Sequence, residues 1–190
     1  MILSDSAILA ARSASQIVIT PFDEKCLGSN SYDVHLSEHL AIYNSNADPE
    51  LWGEGIIDPK VPPEIRRFKI PASGMVLRPG TLYLGSTVEY TETHGYIPNL
   101  NGKSSTGRLG IFIHVTAGQG DVGFCGYWTL EIIVAHSIIL YPGMVIGQLS
   151  YSDVKGVVLV PYGNKANAKY RQQEALPQPS QMWKNFGVQK

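Results

Sequence analysis

Lys103 and Arg108 lie in the stretch Gly102-Lys103-Ser104-Ser105-Thr106-Gly107-Arg108-Leu109-Gly110, with the hydroxyls of Ser104 and Ser105 between them. Fixed positive charge, short hydroxyl side chains and glycines that let backbone N–H groups approach an oxyanion make an anion-binding combination. Farther along, after His114-Val115-Thr116-Ala117-Gly118, Glu131 interrupts the run Tyr127-Trp128-Thr129-Leu130 and Ile132-Ile133-Val134. A carboxylate in such a run is costly to bury unless it is paired or useful. Anion-binding groups and one carboxylate in a single apolar, strand-rich region point to a nucleoside triphosphate site.

Blander readings exist for each part. Gly-Lys-Ser also ends a Walker A loop, but that loop needs a glycine five residues before its second glycine, and this chain has Ile97 there. Gly95 misses the register and no helical pattern follows Ser105, so a P-loop nucleotidase is disfavoured. Taken alone, Gly102-Lys103-Ser104-Ser105 reads as a polar strand-to-strand turn. Glu131 taken alone reads equally as half of an ion pair with Arg108 or Lys103, and His114 as a strand histidine hydrogen-bonded to backbone.

These groups need a scaffold. Ser4 or Asp5 can cap a helix running to Ala14, with Ile8, Leu9, Ala7 and Ala11 as its apolar face. Residues 16–21 read as a strand ended by Pro21. Between Asn44 and Arg67, Pro, Gly and charge predict a long surface excursion that carries no core. Strand signals then recur at 74–77, 81–89, 111–116, 127–134, 145–151 and 157–160, with turns at Arg78-Pro79-Gly80 and Tyr141-Pro142-Gly143. The pattern predicts one all-β domain, a barrel or sandwich, over 1–190. The tail from 174 to 190 lacks periodicity and reads as a flap or an arm reaching a neighbouring subunit.

The chain has 190 residues and a formal net charge of -1. That size supports one core without staples, and that charge gives no basic footprint for nucleic acid. No apolar run is long enough for a bilayer, and the N-terminus has no basic region followed by an apolar core, so a cytoplasmic protein away from membranes is expected. Cys26 and Cys125 are too few and too far apart to suggest a disulfide framework or a zinc site.

Several separated motifs occur together: G-K-S-S-x-x-R-L-G, H-V-T-A-G, D-x-G-F-x-G from Asp121, W-T-L-E, and Y-P-G-M-x-I-G-Q-L from Tyr141. With Met1-Ile2-Leu3-Ser4-Asp5, Asn30-Ser31-Tyr32-Asp33-Val34-His35-Leu36, Pro161-Tyr162-Gly163 and Ala168-Lys169-Tyr170-Arg171-Gln172-Gln173, they span nearly the whole chain. The set resembles the dCTP deaminase branch of the trimeric dUTPase superfamily. That resemblance implies a dUTPase-like distorted β-barrel, a homotrimer, and dCTP or dUTP as ligand, with dTTP as an inhibitor. It implies a catalytic set of Glu131, Ser104 and Arg108, in which Glu131 moves a proton from water to the base while Ser104 and Arg108 place the water and the ring. Its apolar neighbours should raise the Glu131 pKa for that work.

The same resemblance assigns nucleotide contacts to Lys103, Ser104, Ser105, Thr106, Gly107, Arg108, Val115, Ala117, Asp121, Phe124, Thr129, Leu130, Glu131, Gln148, Tyr162, Lys169 and Gln173. Asp121 would accept the sugar 3′-hydroxyl and Phe124 would wall off a 2′-hydroxyl; the bland alternative is a turn aspartate before a core phenylalanine. Gln119-Gly120 and Val122 depart from the family, which usually has a large apolar pair before this aspartate and often proline after it. Zinc deaminases carry H-x-E and P-C-x-x-C motifs, absent here, so zinc is not expected. No all-protein metal cage is visible either, so Mg2+ is expected to arrive on the triphosphate. The leading reading is deamination of dCTP to dUTP and ammonia. The alternative is a bifunctional enzyme giving dUMP and diphosphate, which Ala117-Gly118 and the Tyr162-Gly163 tail resemble somewhat more. A nucleotide-binding regulatory relative with weak catalysis is a third reading, against which Glu131 argues.

Overall fold

Ser4 caps the first helix, its side chain accepting from the Ala7 amide at 3.4 Å, and α1 (Asp5–Ser13) buries Ile8 and Ala11. The computed structural model describes residues 1–114, 116–171 and 173–187. After α1 come β1 (Ile17–Thr20), β2 (Tyr32–Tyr43), α2 (Pro49–Trp52), β3 (Ile65–Lys69), β4 (Met75–Leu77), β5 (Tyr83–Thr93) and β6 (Tyr96–Gly102). The short α3 (Ser104–Arg108) is followed by β7 (Ile111–Phe112), β8 (Cys125–Val134), β9 (Ile138–Leu140) and β10 (Val145–Asp153). Among the described residues no helix is long and apolar enough to cross a membrane.

The main sheet has eight strands in the order β6-β10-β2-β5-β8-β7, with β1 added on β5 and β3 on β2; β4 and β9 form a separate pair. Its strands are mainly β-branched, aromatic and leucine residues alternating with polar ones, the pattern of a pleated, half-buried surface. The inward rows meet in one core that includes Val34, Leu36, Leu100, Leu130, Ile132 and Leu149. The mainly β expectation therefore holds.

The segment between β7 and β8 draws the sheet toward closure. At one end Glu131 N donates to Ile113 O at 2.8 Å; at the other Leu100 N donates to Gly118 O at 2.7 Å and Gly120 N to Pro98 O at 2.9 Å. The stretch thus laces β8 to β6, the far edge of the sheet, and approaches a barrel without a continuous strand.

Three local expectations change. Residues 157–160 form no strand: Val157 and Leu159 are 87% and 89% exposed and meet no partner. Ser104–Arg108 is a short helix rather than a plain turn, closed by Thr106, whose hydroxyl accepts from Lys103 N at 3.1 Å and donates to Lys103 O at 2.9 Å. The strand expected over 111–116 is confined to Ile111–Phe112. The excursion after Asn44 does lie outside the core, with Leu51, Trp52, Ile56 and Ile57 all exposed.

Candidate active site

Period-two alternation along β8 decides which side chains reach the site. Trp128, Leu130, Ile132 and Val134 turn into the core, which leaves Thr129, Glu131 and Ile133 on the other face, along a cavity of about 710 Å3. Leu130 is 0% exposed, so its side chain belongs to the core, and it lines neither this cavity nor the lysine-bearing one beside it. The Glu131–Ile113 backbone bond sets the next residue, His114, beside the carboxylate, with Nδ1 3.3 Å from Glu131 Oε2.

That contact governs the charge of Glu131. The His114 hydrogen bond holds its carboxyl below the usual carboxylate range, and partial burial, which acts in the opposite direction, is the smaller effect. The expectation that apolar neighbours raise this pKa is thereby overturned: Glu131 has an imidazole partner as well as a low-polarity wall. The ion pair with Arg108 or Lys103 also gives way, since Glu131 meets His114 and Lys103 meets Asp33.

The second wall comes from the turn before β8. Gly123 holds φ +87°, and a Cβ there would sit 2.7 Å from Pro161, so the turn packs directly on the approach to Tyr162. Phe124, nearly buried, stacks at a tilt on Trp128 with ring centroids 4.7 Å apart, and Tyr162 lies 6.3 Å beyond. Gly120 fits because its α-carbon abuts Trp128: a Cβ would come within 2.6 Å of that indole. The departure from a large apolar residue at this position thus has a steric reason. Asp121 is held by Lys165 at 2.9 Å.

The tail forms the third wall. Thr129 Oγ1 donates to Gln173 Oε1 at 2.9 Å and accepts from Gln178 N at 3.1 Å, while Ser180 N donates to Tyr43 OH at 2.8 Å. Ser86 Oγ donates to Ala175 O at 2.8 Å. Residues 173–180 therefore lie across strands of their own chain.

A second cavity, about 680 Å3, shares Asp121, Tyr162 and Tyr170 with the first and carries Lys165, Lys169 and Lys184. An aromatic and carboxylate lobe abutting a lysine lobe suits a ligand with a flat ring at one end and a polyanion at the other. Lys165, Lys184, Tyr43, Tyr170 and Gln178 were not anticipated. Their approach is set by contacts across much of the chain, and local spacing carries no signal for it.

The sequence-predicted residues fall into two groups. Ala117, Asp121, Phe124, Thr129, Glu131, Tyr162 and Gln173 line the first cavity, and Lys169 the second. Lys103, Ser104, Ser105, Thr106, Gly107, Arg108 and Gln148 line neither. Gln148 accepts from Ser31 Oγ at 3.1 Å, and Thr106 is buried in its own turn. Val115 lies outside the described residues. Within one chain, then, Ser104 and Arg108 do not line the cavity that Glu131 lines.

The model of the family described as dCTP deaminase-like matches residues 2–154. A protein of Cytophaga hutchinsonii named "dCTP deaminase, dUMP-forming" is 45% identical over 172 residues, covering 90% of this chain and 91% of its own. One of Clostridium beijerinckii with the same name is 46% identical over 186 residues, covering 98% and 99%. Among solved structures, the 2'-deoxycytidine 5'-triphosphate deaminase of Agrobacterium tumefaciens aligns with a TM-score of 0.60 at 21% identity over 83% of this chain. This chain spans 49% of that one, and the likeness bears on the fold.

Proposed function

The chain belongs to the dCTP deaminase-like family, and from that premise we propose that it converts dCTP through dUTP to dUMP and diphosphate. The expectation that dUTP is the end product gives way to its alternative because relatives at about this similarity across their full length are named dUMP-forming. The observation that carries the reading is Glu131: a carboxylate kept ionised by His114 on the wall of a ring-sized cavity, next to a lysine-bearing lobe.

In the proposed reaction, water adds to C4 of the cytosine ring while the Glu131 carboxylate takes its proton and passes it to N3. The second proton moves from the new C4 hydroxyl through the same carboxylate to the amino group, which leaves as ammonia. The ring that remains is uracil. A second water then attacks the α-phosphorus and diphosphate departs. Lys165, Lys169 and Lys184 offset the triphosphate charge, and Phe124 and Tyr162 flank the sugar and ring. Among the described residues the phosphate lobe has one carboxylate, Asp121, already paired with Lys165. Mg2+ accordingly enters as part of the substrate, without a protein cage and without zinc.

Ser104 and Arg108 enter this scheme from a neighbouring subunit. Their helix lies off the cavity of its own chain, so a homotrimer in which the 102–108 segment of one copy faces Glu131 of the next would unite the two groups. dTTP, with the same deoxyribose and triphosphate, is a competing ligand, and the pathway chemistry suits the cytoplasm. Incubation with dCTP and Mg2+, followed by anion-exchange separation of products, tests the proposal. dUMP with equimolar ammonia is expected; dUTP as the final product would restore the single-step reading, and no ammonia would reject both.

A further inference from the structure

Glu92 and Cys125 are direct cross-strand partners on β5 and β8, and His94 stands two residues beyond Glu92. Their carboxylate, thiol and imidazole donor atoms all lie within 4.8 Å of one another. None of them lines either cavity, and none has a part in the proposed chemistry. From this cluster we infer a binding site for one borderline divalent transition ion per chain, of the zinc class, held by Glu92, His94 and the Cys125 thiolate, with water in the remaining position.

The donor set decides the class of ion. Magnesium and calcium take oxygen ligands, whereas a thiolate, an imidazole and a carboxylate together match zinc and cobalt. The frame is rigid: Thr93 N donates to Phe124 O at 3.1 Å and Gly123 N to Thr93 O at 2.8 Å, locking the strand ends that carry the donors. Tyr90 OH donates to Glu92 Oε1 at 2.8 Å, an outer partner that orients the carboxylate and leaves its other oxygen toward His94 at 2.8 Å. His94 is 48% exposed and Glu92 29%, so an ion has a path in.

The Glu92 carboxylate lies beside the Cys125 thiol across the strand pair. A bound dication replaces the thiol proton, which leaves to solvent as the sulfur–metal bond forms, and it neutralises the carboxylate. Sequence spacing alone misses such a site because its donors come from β8 and from the end of β5 with the turn after it, and include a single cysteine.

Cobalt(II) titration of the full-length, chelator-treated protein tests the inference. One equivalent per chain should produce a thiolate-to-cobalt charge-transfer band with visible ligand-field bands, displaced by added Zn2+. Cys125→Ser should abolish the charge-transfer band, and Cys26→Ser should leave it. His94→Gln, an exposed change that spares the fold, should weaken binding by at least about tenfold, the scale lost even with outer-sphere partners. Absence of the band in the native protein, or a band that survives both Cys125→Ser and His94→Gln, would overturn the site.

Discussion

The imidazole of His114, only 7% exposed, lies 3.3 Å from the 41% exposed carboxylate of Glu131, and this contact sets the ionisation of the group on which the proposed chemistry turns. The bond favours the anion and burial favours the acid; the bond wins. Nε2 of the same ring is buried without a hydrogen-bond partner among the described residues, so Nδ1 carries the only bond it makes there.

A depressed carboxylate pKa contributes stability that is present above its unfolded value of 4.5 and lost as pH falls through the lower folded value. Activity that needs the anion should therefore hold down to that window. His114→Asn leaves burial unopposed, so the acid limb of the kcat/KM profile is expected to move to higher pH. An unmoved limb would show that His114 does not tune Glu131.

Glu131→Gln keeps the shape and removes the proton carrier. Deamination is expected to fall by about 10²–10⁴ in kcat, with dCTP binding by calorimetry nearly unchanged. Near-normal turnover would make Glu131 structural.

Mixing Glu131→Gln protein with Arg108→Ala protein, each inactive, is expected to regenerate activity once subunits exchange. The two residues lie in separate groups of one chain, and a mixed trimer contains an interface with both intact. Full activity in a species that sediments as a monomer would refute the shared site.

Gly120→Ala tests the steric reading of the turn. The added methyl meets Trp128 at 2.6 Å and Pro98 at 3.0 Å, and such overpacking costs about 1–3 kcal/mol. Thermal unfolding should show Tm lowered by about 2–4 °C per kcal/mol at this chain length. A Tm at or above that of the parent would mean the turn has room.

Deamination should survive dialysis against a zinc-selective chelator with Mg2+ restored, because the proposed proton transfers run through Glu131 and the H-x-E and P-C-x-x-C motifs are absent. Inactivation reversed only by zinc would refute the mechanism.

Much of this was legible in the sequence because β8 announces itself: Trp128, Leu130 and Ile132 alternate with Thr129, Glu131 and Ile133, and the structure follows that alternation. A different cue misled at Val157-Val158-Leu159-Val160, an unbroken run of β-formers that has no strand to pair with. Strandedness is a property of pairs, and the sequence lists only one member. β2 was passed over despite buried Val34, Leu36 and Leu40, because Ser37, Glu38 and His39 break the row just where its register against β5 shifts. Within the site, the turn and β8 residues were readable. The meeting of Gln178 with Thr129, or of Ser180 with Tyr43, joins positions far apart along the chain, and nothing local encodes it.

The stretch from Ile113 to Gly120 both laces β8 to the edge strand β6 and carries His114. Its bonds to Glu131 and to Leu100 pin opposite sides of the molecule. The Glu131–His114 contact depends on that seam. In a refolding reaction enzyme activity is therefore expected to return after the strand signal, since local hairpins form ahead of the long-range lacing that joins β8 to β6; activity that returns together with the strand signal would refute this order. The seam that completes the sheet would thus also be the step that sets the charge of Glu131.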